Sequence, residues 1–171
     1  MEPDPATTIA DGVSRQLDPR WIVVRRIRGA IFLAVVMMPS FVAVIVLWIA
    51  TRTLAAGLLL VPVWGVAIAA LAWQLYRWPA IAYHHASYRL DGEGFEIQRG
   101  VYWRTVTNVP RSRVQHTDVS QGPLERRFGL GTLVIYTAGT MHSQVTLPGL
   151  DFTVARSIRA HLLPGDEGDA V

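Results

Sequence analysis

Four arginines are the side chains best suited to recognition chemistry: Arg111 and Arg113 on either side of Ser112, and Arg126 next to Arg127. A guanidinium fork matches the oxygens of a carboxylate or phosphate two at a time. On an extended strand Arg111 and Arg113 would point the same way. The short segment between the two pairs predicts that all four lie close together. The pattern predicts a basic face for anionic lipid headgroups or an acidic partner. The competing expectation is solvated surface arginine with ion pairs to Asp118 and Glu125. The turn Asp91-Gly92-Glu93-Gly94 is acidic and would repel phosphate.

The other polar groups carry less. His116 and Asp118 would share one face of a strand and could begin a metal site, but the sequence places no third ligand beside them. His84 and His85 are adjacent and would face opposite ways on a strand. His142 falls on a separate strand or loop. No metal site is assigned. There is no G-x-S-x-G, H-E-x-x-H or Walker-type phosphate loop. Gly129-Leu130-Gly131 lacks the third glycine of a dinucleotide fingerprint and precedes a strand, so it is read as loop geometry. The expectation is a protein that is not an enzyme, with no catalytic or cofactor-binding residue and no cofactor. Cysteine is absent, which excludes thiolate nucleophiles, disulfides and Cys-ligated metal.

The elements that must position these groups begin with two uncharged runs, residues 31–51 and 53–76, separated by Arg52. Each exceeds the roughly 20 apolar residues that a helix needs to cross about 30 Å of hydrocarbon. A link of about three residues, Thr51-Arg52-Thr53, predicts an antiparallel hairpin with spans at about 30–51 and 54–76. Two buried helices of a soluble core are the alternative, but such helices carry a polar face. Arg15, Arg20, Arg25, Arg26 and Arg28 precede the hairpin and Arg77 and Arg89 follow it, so the basic bias predicts both flanks in the cytoplasm. Trp21, Trp48, Trp73, Tyr76 and Trp78 stand where interfacial aromatics would. Pro39 and Pro62 are expected to kink the spans. The net charge of +3 is read as contact with anionic lipid, not with nucleic acid.

Residues 1–17 lack apolar periodicity and read as a disordered tail. Asp18-Pro19 reads as the start of a helix, interfacial through Arg28; with the hairpin it makes a membrane region over 18–78. After Trp78 the pattern turns to strands. Residues 87–90 and 95–98 alternate on either side of the acidic turn. Residues 101–109, 113–120, 132–138 and 143–147 follow; in 113–120, Val114 and Val119 fall on opposite faces, which predicts a bulge or an irregular edge. A helical turn starts at Pro123. Pro148-Gly149 is read as a strand break and Asp151 as the cap of a last helix. There Val154, Ala155, Ile158 and Leu162 form an apolar stripe, and Pro164-Gly165 stops it. Residues 165–171 read as a second disordered tail.

The segment VPRSRVQHTDVSQGPLERRFGLGTLVIYTAG, residues 109–139, followed by LPGL at 147–150, resembles the bacterial PH-like proteins of the YdbS/YdbT type, or membrane-flanked domains. The resemblance extends from Asp18-Pro19-Arg20-Trp21 to the end of the last helix. It implies an α+β membrane protein: an N-terminal two-helix transmembrane hairpin, then a PH-like β-barrel or bent β-sandwich over 79–164 capped by a C-terminal α-helix. It further implies a bacterial plasma (inner) membrane location, multi-pass, with both termini cytoplasmic. Lipid-binding PH domains carry a basic cluster in the loop joining their first two strands; here the corresponding loop is the acidic one. The partners expected are the bilayer and a membrane protein, with another PH-like family member as the candidate; lipid-headgroup sensing through the four arginines is the alternative, and a small membrane enzyme or metal protein using His116 and Asp118 is the third.

Overall fold

The computed structural model describes residues 10–138 and 144–162. The chain forms two compact units: one joins the residues up to Val24 with those from Ile81 onward, and the other holds Arg25 to Ala80.

The second unit is built from two long helices, α1 (Arg20–Thr51) and α2 (Leu54–His84), which run on at their ends into the first unit. At 1.5 Å per residue each measures roughly 45–48 Å, longer than the roughly 30 Å of hydrocarbon in a bilayer. Their apolar side chains are bare: Met38, Leu54, Leu58 and Val66 are all more than 70% exposed. Core helices of a soluble protein would have buried them. Arg52 turns the chain with φ 53°. Small and polar residues hold the pair together. A Cβ on Gly57 would meet the Trp48 indole, and one on Gly29 would stand 3.3 Å from Leu75 Cβ. Trp64 Nε1 donates to Ser40 Oγ (3.1 Å), which itself donates to the Val36 carbonyl at 2.7 Å. The Arg26 guanidinium lies 4.0 Å from the centre of the Tyr76 ring. In an apolar surround such close approaches and satisfied polar groups replace the hydrophobic drive between helices.

The first unit is two antiparallel sheets and a helix. Strands β1 (Ser14–Gln16), β2 (Ser87–Leu90), β3 (Gly94–Arg99) and β4 (Thr105–Pro110) form one sheet in that order. Strands β5 (Val114–Ser120), β6 (Leu130–Thr137) and β7 (Gln144–Asp151) form the other, with a short helix α3 (Pro123–Arg127) between β5 and β6. The last helix, α4 (Phe152–Leu162), packs on the second sheet. Leu90, Phe95 and Ile97 of the first sheet, Leu130, Leu133, Ile135, Leu147 and Leu150 of the second, and Ala155 and Ile158 of α4 are at most 1% exposed. The strands bury every second residue, so each sheet presents one apolar face to a shared core. Asp151 Oδ1 accepts the Thr153 N–H at 2.9 Å and caps α4 as expected. Of its stripe, Ala155, Ile158 and Leu162 are buried; Val154 is only half-buried.

Several expectations are corrected. Residues 14–16 are not part of a tail: they pair with β2, Ser14 opposite Arg89 and Gln16 opposite Ser87. Residues 18–24 belong with the sheets, not with a membrane region over 18–78. Trp21 is a core residue, 8% exposed, and not an interfacial aromatic. The strand expected over 101–109 begins only at Thr105, because the chain bends at 101–103. Pro148-Gly149 does not end β7. Gly149 is an extra residue between the pairs Thr132–Pro148 and Gly131–Leu150, a bulge with φ 84° that presses against the Trp21 ring. The bulge predicted between Val114 and Val119 is present, between Val114 and His116. The expected turn at Gly139-Thr140, His142, the first residue of the strand over 143–147, the helix stop at Pro164-Gly165 and most of the two expected tails lie outside the described residues.

Candidate interaction surfaces

Sheet register decides where the four arginines stand. Arg111 to Arg113 form one turn of 3-10 helix, not a strand. At three residues per turn Arg111 and Arg113 diverge by about 120° instead of sharing a face. The turn is fixed by the Arg111 N–H, which donates to the Glu93 carbonyl at 2.9 Å, so this pair sits beside the acidic turn. Strand β5 then separates it from α3, where Arg126 and Arg127 project, both exposed. Seven residues at about 3.3 Å each span roughly 23 Å. The single basic face expected from the sequence is therefore two separate pairs at opposite ends of β5.

The acidic partners expected for these arginines are engaged elsewhere. Glu125 is 7% exposed; its carboxylate accepts the Gly122 N–H at 2.9 Å, which anchors the start of α3. Asp118 accepts from His116 Nε2 at 2.9 Å, with both side chains more than half exposed. No group of three or more potential metal-ligating side chains exists among the described residues. His84 ends α2, and His85 follows it with Nδ1 2.8 Å from the Ile81 carbonyl; neither lies on a strand.

Arg113 does line a concave feature. An open cleft of about 160 Å³ is bounded by Thr107, Asn108, Val109 and Pro110 of β4, by Arg113, and by Thr137, Ala138 and Val145 of the second sheet. Among the described residues β4 is the last strand in its sheet, so one row of its backbone N–H and C=O groups has no described strand beside it. The volume is small for an organic ligand but suits a side chain entering beside an open strand edge.

Sequence reasoning missed a latch at the other end of the domain. Arg20 Nε and Nη2 grip the Asp18 carboxylate at 2.9 and 2.7 Å. Nη2 also reaches Asp151 at 2.8 Å, and Nη1 donates to the Phe128 carbonyl at 3.1 Å. The Asp18 N–H donates to the Gly149 carbonyl at 2.8 Å. The Arg20 hydrogen bond holds the Asp18 carboxyl below the usual range; for Asp151 the Thr153 hydroxyl is the larger cause and Arg20 adds to it. Thus Asp18-Pro19-Arg20-Trp21, the loop after α3 and LPGL converge at one place, although they are separated widely in the sequence. The Asp-Pro pair was a sufficient signal for a helix start, and Asp18 Oδ1 does accept the Arg20 N–H at 2.8 Å. Nothing local signalled the long-range contacts.

Comparison with known proteins places this architecture. The chain is 37% identical over 81 residues to UPF0699 transmembrane protein YdbS of Bacillus subtilis (strain 168). That match covers 47% of this chain and 49% of the relative, so it spans about half the length of each. No solved structure matches. The family model for the bacterial PH domain matches residues 22–165. That segment takes in nearly all of both apolar helices and every strand except β1, and the chain belongs to the bacterial PH domain family as a YdbS-like transmembrane protein.

Proposed function

We propose that this is a non-enzymatic protein of the bacterial inner membrane, multi-pass with both termini cytoplasmic, whose PH-like domain holds an acidic, extended segment of a membrane protein partner. A second PH-like family member is the partner class that the reading favours. The cleft beside β4 is the observation that carries it. A segment laid along this edge would complete the backbone hydrogen bonding of the sheet, while a carboxylate could meet Arg113. The volume of the cleft suits a side chain better than a metabolite.

The test is a photo-crosslinking amino acid at Asn108, in the full chain in native membranes, with the same group at Arg156 on α4 as the control. The expected result is an adduct with a membrane protein from position 108 alone, reduced several-fold by Arg113→Glu. Equal adducts from both positions, or an adduct indifferent to Arg113→Glu, would sink the reading.

A second reading, binding of anionic lipid headgroups, finds its support in Arg126 and Arg127. Both are exposed, and α3 leads directly into the Phe128 carbonyl that Arg20 grips near the start of α1. Each arginine near an anionic leaflet contributes about 1 kcal/mol. Joint Arg126→Gln and Arg127→Gln substitution in vesicles should abolish any preference for anionic over zwitterionic lipid around the protein; an unchanged preference removes this reading.

A further inference from the structure

The hairpin joining β3 to β4 has no role in the reading above. Its tip, Gly100-Val101-Tyr102-Trp103-Arg104, carries the two most exposed large hydrophobic side chains described in the protein, Tyr102 at 82% and Trp103 at 87%. Val106, just inside β4, is 53% exposed. The presentation is built in. Gly100 has φ 120°, and a Cβ there would collide with the Trp103 carbonyl. Only glycine permits the chain to fold back so tightly and turn both aromatics outward. The tip is flanked by basic groups: Arg104 donates to Gln98 Oε1, and Arg99 to the Thr146 carbonyl.

Register gives the tip its position. The whole helical hairpin is inserted between β1 and β2, two neighbouring antiparallel strands, after Gln16 and before Ser87. Gln16 pairs with Ser87, and Ser87 pairs with Gln98. Arg99 pairs with Thr105, so the tip closes the sheet at this same end. The acidic turn and Arg111 to Arg113 close the opposite end, where Gly94 pairs with Pro110. The aromatic tip thus lies at the end of the sheet where the chain leaves for the apolar helices and returns from them. Residues 77–84 of α2 add only about 12 Å of helix beyond Tyr76, against a headgroup layer of about 5–8 Å.

From this placement we propose that Tyr102 and Trp103 are a third membrane attachment: the β3–β4 tip enters the bilayer–water interface and fixes how the domain stands on the membrane. Trp and Tyr pair an apolar ring with a polar atom and favour this zone, and arginine beside them can reach lipid phosphate. The bilayer is the occupant because the chain carries its own membrane spans, and because the tip is a convex turn, not a groove for a peptide.

The absence of cysteine allows a direct test. A nitroxide is attached at Val101→Cys in the full chain, reconstituted in vesicles of phosphatidylethanolamine and phosphatidylglycerol, with Glu93→Cys at the opposite end as the reference. The expected ratio of oxygen to nickel-chelate collisions at position 101 is several-fold that at 93, and Trp103→Ser should lower it towards the reference. Equal ratios at 101 and 93 overturn the proposal, as does a high ratio at 101 that Trp103→Ser leaves unchanged. Circular dichroism in the same vesicles confirms that each variant remains folded, and Tyr102→Ser takes the place of Trp103→Ser if the latter unfolds.

Discussion

Arg20 is the residue on which three distant segments converge, and its replacement has a defined signature. Because Asp18 and Asp151 titrate below their unfolded range of about 3.9, they contribute stability that is complete above that value and is lost as pH falls through their folded values. Arg20→Met removes the ion pairs to both and the hydrogen bond to Phe128. Arg20 is 47% exposed at the side chain, so the pairs are screened and the expected loss is about 1 kcal/mol. Denaturant unfolding at a series of pH values should show a constant deficit above about pH 5 that shrinks on further acidification. A deficit unchanged at pH 2 would mean that Arg20 acts through packing and not through charge. Of the candidate site, the arginines themselves were legible, since guanidinium chemistry is local. Their grouping was not, because it depended on Arg111 to Arg113 being extended and on β5 being short. Tyr102 and Trp103 were read as strand residues; only the tight bend at Gly100 reveals them as a tip.

At the scale of elements, the clearest wager is α4. Ile158 is fully buried against the second sheet, so Ile158→Ala should cost about 2–5 kcal/mol in chemical denaturation. A loss below about 0.5 kcal/mol would place α4 outside the core, against the burial of Ala155, Ile158 and Leu162. Much of this level could be read in advance. Strand β3 alternates apolar and polar residues beside a strong turn signal, β6 is rich in β-branched and aromatic residues, and α4 shows both a stripe and a cap. Three elements resisted for physical reasons. Strand β1 has three residues, too few for periodicity, and exists only because β2 offers it an edge. Strand β7 passes through Pro148-Gly149 because a bulge absorbs the extra residue, and Gly149 supplies the positive φ under Trp21. Trp21 resembled an interfacial aromatic because it precedes a span, yet the chain enters the sheet core before it leaves for the membrane. In the helical hairpin, Gly57→Leu should push the Trp48 ring aside and lower the thermal midpoint in detergent, whereas Gly65→Leu, where a Cβ meets nothing within 4 Å, should be far milder.

For the whole molecule, the position of the helical hairpin constrains topology in a way that charge bias alone cannot. The hairpin interrupts a sheet between β1 and β2, and these strands pair residue for residue. They can do so only if the chain returns to the side it left, which requires an even number of crossings. Two helices satisfy that condition; one or three would leave β1 and β2 on opposite sides of a bilayer and the sheet without its edge strand. In the topology proposed above, the arginine distribution would select the side: Arg25, Arg26 and Arg28 before the first apolar run and Arg77 after the second, against Arg52 alone at the turn. In a chain without cysteine, Arg52→Cys and Glu93→Cys report the outcome separately. A membrane-impermeant maleimide applied to intact spheroplasts should label position 52 at once and position 93 only after the membrane is opened. Labelling of 93 from outside would reverse the orientation while leaving the sheet intact. Labelling of both from outside would mean that the helices do not cross, and with that the hairpin would lose its place as the anchor around which the domain is built.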